Sequence, residues 1–428
     1  MTHYTSGKPD GYIPRLVDDK LERYLALFGG VEVRGTRWSG KSWTSQAFGN
    51  TVNRVDLNPE LYRADPELAL LGESPVVIDE WQDAPAIWNY ARHSIDEQAG
   101  DRGRYILTGS STPPDDEDRH SGAGRIGKIT MRTMSLEETG ESRKTVSLAG
   151  LFRGEFQSAK SDMGLAELSE IICRGGWPGL QNDPSDDAQE VISSYLDALF
   201  DVSMPRAGKS PALARRIAAS LARNVATSAK LATIALDAAK DGSAPDEDTV
   251  SSYLDEFSRN YFIEELPGWD APVRAKSRLR TKPKRYFADP SVAASLLNVD
   301  AARLRDDQQL FGLFFESLCI HDLSVYAEVM PDAGSSPLRY YSDADGLEVD
   351  AVIELRDGRW AGIEIKLGEN KVEEAVRNLN RLRKKAAANP AARNPSPAFM
   401  AVLLGKGTFA RYIDAEDAYV IPVDCLGA

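Results

Sequence analysis

The chain has 428 residues, a length that predicts two to four domains. Hydrophobic residues make up 42% and charged residues 27%, which are ordinary globular proportions and exclude a largely disordered protein. The formal net charge of −14 excludes a surface that is basic throughout, so a nucleic-acid contact would need a local basic face.

Cysteines and histidines supply neither a disulfide framework nor a zinc site. The three cysteines (Cys173, Cys319 and Cys425) are odd in number and far apart, which fits a reducing cytoplasm. The four histidines show no paired spacing of the kind that zinc sites use. Acidic residues interrupt the first thirty positions, unlike a signal peptide, and no apolar run reaches the ~18–20 residues that cross a bilayer. We therefore predict a cytoplasmic protein without a membrane partner.

Predicted strands and helices alternate over the first third of the chain. Helical spacing of apolar residues ends at a Gly-Gly pair, and short apolar runs indicate buried parallel strands. The predicted elements are a helix over 15–28, a strand over 31–35, a helix from Lys41, a strand over 74–81, a helix over 84–98, a strand over 104–110 and a strand over 128–134. A polar loop is predicted over 112–122. This alternation is typical of a doubly wound α/β sheet.

A glycine-rich segment joins the first predicted strand to the second predicted helix. It fits the pattern GxxxxGK[ST] with the residues Gly35, Thr36, Arg37, Trp38, Ser39, Gly40, Lys41 and Ser42. Its backbone N–H groups and the following helix N-terminus suit phosphate oxygens. Lys41 would neutralise the β- and γ-phosphates, and Ser42 would be a ligand of Mg²⁺. The segment therefore predicts a site for ATP and Mg²⁺.

Two carboxylates end the next predicted strand, VVIDE over 76–80. Asp79 would hold Mg²⁺ through water, and Glu80 would polarise the attacking water. The strand over 104–110 ends at Ser110, a polar tip suited to contact the γ-phosphate. An ordinary strand-to-loop junction is the alternative interpretation of Ser110.

The chain resembles a family of prokaryotic AAA-type ATPases that carry a C-terminal domain of unknown function, DUF4143. The matching segments are YIPR (12–15), GTRWSGKS (35–42), VVIDEWQDAP (76–85), ILTGS (106–110), GRI (124–126), GGWP (175–178), KPKRYFADP (282–290) and FFES (314–317). The resemblance implies an AAA-like core followed by a helical lid. Trp38 is bulkier than the small residue expected at its place in the loop.

Two site residues follow from this resemblance alone. Arg125 resembles an arginine finger that would reach the γ-phosphate of a neighbouring subunit, and this would imply a homo-oligomer. A solvated loop arginine is the alternative. Pro178 lies in a segment that resembles the lid element packing on adenine in related ATPases, and a buried turn between helices is the alternative.

The middle of the chain is predicted to contain a linker and several helices, followed by a module of a kind that binds DNA. Residues 141–162 read as a polar linker, and three helical segments over 211–263 precede an extended stretch, as in a winged helix. Residues 274–285 carry a Lys or Arg at every second position, which would place six cations on one strand face. Such a face suits a DNA backbone. A solvated edge strand is the alternative.

The C-terminal part carries a motif that resembles the PD-(D/E)xK nucleases. Asp350 and the Glu364-x-Lys366 motif lie on two strands of a predicted hairpin that turns at 357–358. Asp350 and Glu364 would bind Mg²⁺, and Glu364 and Lys366 would take part in phosphodiester attack. Glu316, on an apolar helix over 309–328, is a further acid, and a basic helix over 371–388 could face DNA. A nuclease-like fold used only for binding is the alternative.

Together these patterns predict an α/β protein: a P-loop NTPase (AAA-like) core with a helical lid, a winged-helix module and a PD-(D/E)xK restriction-endonuclease-like domain. The predicted boundaries are 1–140 for the core, 141–205 for the linker and lid, 206–300 for the winged helix and 301–428 for the DUF4143-type domain. The predicted function is an ATPase that couples nucleotide state to a nuclease-like, DNA-acting domain. The alternative is an ATP-gated DNA- or protein-binding switch that does not cleave.

Overall fold

The computed structural model describes residues 8–98, 100–113, 122–269, 282–390 and 394–428, with the backbone alone at 335–336. The chain divides into two compact units. The first comprises Met1–Thr133 and Arg259–Phe262, and the second comprises Met134–Ser258 and Ile263–Ala428. Most of the predicted polar loop (114–121) and of the basic stretch (274–281) lies outside the described residues.

The first unit is an α/β unit in which strands and helices alternate. Its elements are α1 (Asp18–Leu27), β1 (Gly30–Arg34), α2 (Lys41–Phe48), β2 (Thr51–Arg54), α3 (Pro59–Ala64), β3 (Val76–Asp79), α4 (Ile87–Glu97), β4 (Tyr105–Gly109) and β5 (Ile126–Thr130), with 3₁₀ turns at Val55–Leu57, Pro66–Leu70 and Trp81–Asp83. Each predicted strand and helix of this part has a counterpart, although the last strand covers Ile126–Thr130 and not the predicted 128–134. Strand β2 and helix α3 were not predicted, because both are short and their residues are largely polar.

One parallel sheet organises the first unit, with the strand order β2-β3-β4-β1-β5. Strands β3 and β4 are buried along their whole length. Their uninterrupted apolar runs are what a parallel strand covered on both faces requires. Strand β1 lies between β4 and β5, so the loop after β1 starts in the interior of the sheet, at the carboxyl ends of its neighbours.

The second unit contains a helical part and a mixed α/β part. Its elements are α5 (Leu136–Thr139), β6 (Val146–Ser147), α6 (Leu148–Phe152), α7 (Leu165–Arg174), α8 (Ser185–Ala198), α9 (Met204–Arg206), α10 (Pro211–Arg223), α11 (Leu231–Asp237), α12 (Glu247–Arg259, whose last residue belongs to the first unit), β7 (Ile263–Leu266), β8 (Lys284–Phe287), α13 (Pro290–Leu297), α14 (Ala301–Asp306), α15 (Gln308–Val329), β9 (Ala333–Ser342), β10 (Glu348–Leu355), β11 (Trp360–Gly368), α16 (Val372–Ala387), β12 (Phe399–Lys406), β13 (Arg411–Ile413), β14 (Ala418–Pro422) and β15 (Leu426–Gly427). Three helices, α10 to α12, precede an antiparallel pair formed by β7 and β8.

A six-stranded sheet forms the core of the C-terminal part, with the order β13-β14-β12-β11-β10-β9. Strands β9, β10 and β11 are antiparallel neighbours, whereas β12 lies parallel to β11 after the crossover helix α16. One face of α16 is apolar and packs into a cluster with Trp360 and Met400. Its other face carries the charged residues, which explains why the sequence shows a basic amphipathic helix.

Residues 141–162 differ from the linker that the sequence predicts. Strand β6 pairs in parallel with β15, and Ser142 and Ser147 donate hydrogen bonds to the carbonyls of Leu426 (2.5 Å) and Ala428 (2.6 Å). Ser161 donates to Asp424 Oδ1 at 2.7 Å. Serine hydroxyls thus satisfy backbone carbonyls at the C-terminal end of the chain, where few strand–strand hydrogen bonds are available. The polar residues of 141–162 therefore connect this segment to residues more than 250 positions later.

Helix α15 is long and apolar enough to cross a membrane by length and composition. In its most apolar 18-residue window, 72% of the residues are buried inside the protein. The helix carries the partly buried acid Glu316 and the buried acid Asp322, and its N-terminus is capped by Asp307. Burial among protein elements therefore accounts for its apolar composition.

Candidate functional site

The glycine-rich loop spans from the end of β1 to the start of α2. Gly35 has φ +151°, and a Cβ there would lie 2.0 Å from the carbonyl oxygen of Met131. Gly40 has φ +97° and forms the N-cap of α2. Glycine is needed at both places, since other residues rarely adopt these angles. The loop therefore delivers Lys41 and Ser42 as the first two residues of a helix.

The ammonium of Lys41 is buried and donates to the carbonyl of Thr36 at 2.7 Å. Ser39 Oγ donates to the same carbonyl at 3.0 Å. Burial lowers the pKa of Lys41 to about 8, and the charges of Glu80 and Asp79 only partly oppose this effect. A desolvated cation beside a helix N-terminus gains from an anionic ligand, so the loop fits a polyphosphate.

Ser42, Asp79 and Thr108 form one hydroxyl–carboxylate cluster. Ser42 Oγ donates to Asp79 Oδ1 at 2.9 Å, and Thr108 Oγ1 donates to the same oxygen. Strand β3 ends at Asp79, and β4 pairs beside it, which brings Thr108 to that position. A hydroxyl and a carboxylate are hard oxygen donors of the kind Mg²⁺ prefers, so these residues fit a magnesium ion.

Glu80 follows Asp79 with a left-handed backbone conformation, φ +55°. Its carboxylate oxygen Oε2 accepts from Ser110 Oγ at 2.7 Å and also from Gln82 Nε2. The backbone N–H of Glu80 donates to Thr108 Oγ1 at 3.3 Å. Polar groups on β4 and on the turn after β3 thus fix the orientation of this carboxylate.

Sequence reasoning gave no role to Arg15 or Gln82, and it placed Thr108 at the polar end of its strand without its contact to Asp79. Arg15 donates from Nη1 to the carbonyl of Ser39 at 2.6 Å and from Nη2 to that of Arg132 at 2.9 Å, which braces the loop. Thr108 and Gln82 hold the two strand-end carboxylates. The segments YIPR and IDEWQ contain Arg15 and Gln82, but only tertiary structure shows what these residues contact.

Arg125 and Pro178 lie in different units. The Nε of Arg125 donates to Asp96 Oδ1 at 2.7 Å on the surface of the first unit, and its side chain is 45% exposed. This hydrogen bond is the main cause of the lowered pKa of Asp96. Pro178 begins a 3₁₀ turn in the second unit, after Trp177, whose Nε1 donates to Ser291 Oγ at 2.9 Å. The arginine-finger and adenine-packing roles stay predictions.

The C-terminal hairpin brings Asp350, Glu364 and Lys366 together as predicted. Ala351 pairs with Ile363, which places Asp350 opposite Glu364 on adjacent strands. Lys366 Nζ lies 3.0 Å from Asp350 Oδ2 and 2.5 Å from Glu364 Oε2. Asp350 Oδ2 also accepts from the backbone N–H of Ile365 at 2.8 Å. Lys366 therefore bridges the two carboxylates.

Burial and the lysines set the charge state of this cluster. Burial raises the pKa of Glu364 to about 8, with a further contribution from the charge of Asp350, and Lys366 opposes both. Burial also acts to raise the pKa of Asp350, but the charges of Lys366 and Lys284 outweigh it and hold that pKa below its usual value. Asp350 is thus the carboxylate held ionised, and Glu364 keeps its proton more readily.

Lys284 corrects the prediction of a six-cation face over 274–285. Its side chain is 2% exposed, and its ammonium lies near three carboxylates: those of Glu316 (2.9 Å), Glu348 (2.6 Å) and Asp350 (3.9 Å). Tyr286, two residues along the same strand face, donates to Glu316 Oε1 at 2.9 Å. The prediction failed for Lys284 because alternation assigns a strand face but does not say whether that face meets solvent or buried acids.

Cations of helix α16 are also engaged with acidic groups. Lys385 contacts Asp343 at 2.5 Å and Asp345 at 2.6 Å, and Arg383 contacts Asp417 at 3.3 Å. These contacts neutralise part of the basic helix that the sequence offers as a DNA-facing element.

Comparison with protein families divides the chain into three matching regions. Residues 30–140 match the AAA domain, residues 311–426 match the domain of unknown function DUF4143, and residues 165–303 match the domain of unknown function DUF8612. No curated protein matches the chain.

Three solved structures are similar to the chain at low identity. A Walker-type ATPase of Pyrococcus abyssi is 15% identical over 68% of this chain and 97% of its own, with a TM-score of 0.43. The RuvB Holliday junction branch migration motor of Thermotoga maritima is 15% identical over 61% and 93%, with a TM-score of 0.30. The replication initiator DnaA bound to AMPPCP and single-stranded DNA is 14% identical over 58% and 90%, with a TM-score of 0.24. At these TM-scores the three likenesses do not bear on function.

The AAA match covers the parallel sheet, the glycine-rich loop and both strand-end carboxylates. The DUF4143 match covers the six-stranded sheet and its carboxylate cluster. The chain therefore contains an AAA domain followed by a C-terminal DUF4143 domain, as its sequence motifs predicted.

Proposed function

We propose that the protein hydrolyses ATP with Mg²⁺ in the first unit and uses the nucleotide state to control the second unit. The observation that carries the proposal is the convergence of Lys41, the Ser42–Asp79 pair and the oriented Glu80 at the carboxyl ends of β1 and β3. Each group is held by residues of the unit itself, so the arrangement is preorganised for a polyphosphate.

Each residue has a separate chemical task in this proposal. Lys41 exchanges the carbonyl of Thr36 for phosphate oxygens and neutralises their charge. Ser42 and Asp79 hold Mg²⁺, which when bound neutralises charge on the phosphates. Glu80, with Oε2 fixed by Ser110 and Gln82, orients the attacking water and accepts its proton.

Binding of a fluorescent ATP analogue tests this assignment. Lys41→Ala should weaken binding about 100-fold or more, since a buried charge-assisted contact to phosphate is lost. Asp79→Asn should remove the gain in affinity that Mg²⁺ gives, whereas Glu80→Gln should bind as the wild type does. Equal affinity in wild type and Lys41→Ala would refute the assignment.

A short chain segment suggests how the nucleotide state reaches the second unit. Residues Arg259–Phe262 belong to the first unit, although α12 precedes them and β7 follows them. Thr112, two residues beyond Ser110, donates its N–H to the carbonyl of Arg259 at 2.8 Å and shares a 2.7 Å hydrogen bond with Tyr261. We propose that movement at the β4 tip is transmitted through this segment to α12 and β7.

Action on DNA by the second unit is a second candidate function. The order α15-β9-β10-β11-α16-β12 and the Asp350–Glu364–Lys366 set are typical of the PD-(D/E)xK fold, and α10 to α12 with β7 and β8 are similar to a winged helix. However, Asp350 faces two lysine ammonium groups, and among the described residues no group of three or more His, Cys, Asp or Glu side chains is arranged to hold a metal. The cluster does not fit a divalent metal as it stands. This favours ATP-gated binding over cleavage.

Plasmid and single-stranded DNA distinguish the two alternatives. With Mg²⁺ or Mn²⁺, and with or without ATP, we expect nucleotide-dependent retention of DNA on the protein and no cut product. Asp350→Ala should leave retention unchanged. Cleavage by wild type that disappears in Asp350→Ala would establish a nuclease instead, and absence of both retention and cleavage would argue for a protein partner.

A further inference from the structure

The carboxylate cluster of the DUF4143 domain contains a buried cation supplied by the chain itself. Strand β8 begins at Lys284 and directs its side chain to Glu316 on α15 and to Glu348 on β10. The ammonium also lies 5.5 Å from the ring centroid of Tyr340. Three carboxylates and an aromatic ring thus surround a side chain that is 2% exposed.

The arrangement around Lys284 has the composition of a cation site. Oxygen ligands from several elements of the second unit converge on one positive charge, and a ring face completes the enclosure. Glu316 also accepts from Tyr286, and Asp350 accepts from Lys366 and from the N–H of Ile365. The cluster is therefore balanced by two ammonium groups and by backbone and phenolic donors.

We infer that Lys284 is the resident cation of this cluster and takes the place that a divalent metal would otherwise take among Glu316, Glu348 and Asp350. The inference deepens the proposed non-cleaving role and rests on it. It also explains why a motif set typical of metal-dependent nucleases can be complete in this chain without forming a metal site: Lys284, a cation outside the motif, already lies beside Asp350.

Mn²⁺ binding to nucleotide-free protein tests the inference, measured by calorimetry and by the shift of the thermal unfolding midpoint. Wild type and Asp350→Asn should bind Mn²⁺ equally, because Asp350 is not available to a metal in the wild type. Lys284→Met should lower the midpoint in EDTA, because Glu316 and Asp350, which have little exposure, and the more exposed Glu348 lose their counter-ion, and Mn²⁺ should restore it. Lys284→Met/Asp350→Asn should lose that restoration.

Lys282→Met is the matched control. It removes one positive charge two residues before Lys284, and the side chain of Lys282 is exposed. It should leave the midpoint unchanged with and without Mn²⁺. If Lys284→Met does not fold, Lys284→Gln serves in its place. The comparison of wild type with Asp350→Asn still decides whether the wild-type cluster binds Mn²⁺.

Stoichiometric Mn²⁺ binding by wild type that Asp350→Asn abolishes would overturn the inference, as would a folded Lys284 variant that gains no binding. Repeating the titration in Asp79→Asn separates the two units, because a signal that survives this change does not come from the nucleotide site. ATP hydrolysis is measured in parallel. If Mn²⁺ binding contradicts the inference but ATP is hydrolysed, the ATPase proposal still holds. If ATP is not hydrolysed but Mn²⁺ binding behaves as expected, the inference about Lys284 still holds.

Discussion

At the level of single residues, the carboxylate of Glu80, for which we propose a catalytic role, is already held in one orientation in the structure. Ser110 and Gln82 both donate to Oε2, and a left-handed backbone at Glu80 turns its side chain toward them. Lys41 and Ser42 of the phosphate-binding loop instead form hydrogen bonds with Thr36 and Asp79, and no described hydrogen bond joins them to Ser110 or Gln82. Their contribution should therefore fall on the chemical step and not on nucleotide affinity.

Gln82→Leu should lower kcat for ATP hydrolysis about 10- to 100-fold, because a carboxylate that loses a donor is less well oriented toward water. KM for ATP should stay within about twofold, since the loop is untouched. Steady-state kinetics measure both, and Gln82→Asn should recover part of the rate. Gln98→Leu, an exposed position at the end of α4, is the control. A rise in KM without a fall in kcat would contradict this positioning role.

The residues of the nucleotide site were largely predictable because the motif is local. GxxxxGK[ST] requires glycines at Gly35 and Gly40, and the structure shows the angles that demand them. The partners of the motif were not predictable. Arg15 precedes the loop carbonyl that it contacts by 24 residues, and Lys284 precedes Glu348 by 64 residues along the chain. Long-range contacts of this kind have no spacing signature in a single sequence.

At the level of elements, the parallel strands were predictable because they are buried on both faces. The apolar runs in β3 and β4 leave few alternatives to central strands. The hairpin of β10 and β11 followed from alternation and from a turn at Gly358, which has φ +87°. Short elements with polar sequences escaped prediction. Strand β6, for example, has two residues and pairs with β15, which follows it by 280 residues.

The segment Arg259–Phe262 is the element whose role can be tested most directly. Tyr261→Phe removes its hydrogen bond to Thr112 and should leave ATP affinity unchanged. Hydrogen–deuterium exchange should show that ATP changes the protection of α12 and β7 in wild type, and that this response is reduced in Tyr261→Phe. Tyr412→Phe is the matched control, because it also loses a side-chain hydrogen bond, to Asp417, within the second unit. An unchanged ATP response in Tyr261→Phe would rule out this route.

At the level of the whole molecule, the chain consists of two compact units that carry different kinds of charged site. The nucleotide site has a buried lysine whose carbonyl partner is a weak competitor for phosphate. In the carboxylate cluster of the second unit, the buried Lys284 and the partly buried Lys366 are already engaged by carboxylates. A lysine in the first unit is therefore available to an anionic ligand, whereas the lysines of the second unit's cluster pair with carboxylates of the protein itself. A net charge of −14 agrees with confining any DNA contact to a local surface.

ATP hydrolysis by the purified full chain tests whether the first unit is a working ATPase. Phosphate release with Mg²⁺ is compared for wild type, Lys41→Ala, Glu80→Gln and the exposed control Glu73→Gln. We predict turnover by wild type and Glu73→Gln, a loss of about 100-fold or more in Glu80→Gln with ATP still bound, and loss of both binding and turnover in Lys41→Ala. Turnover that persists in Lys41→Ala and Glu80→Gln, or a wild type that binds ATP without hydrolysing it, would contradict the account.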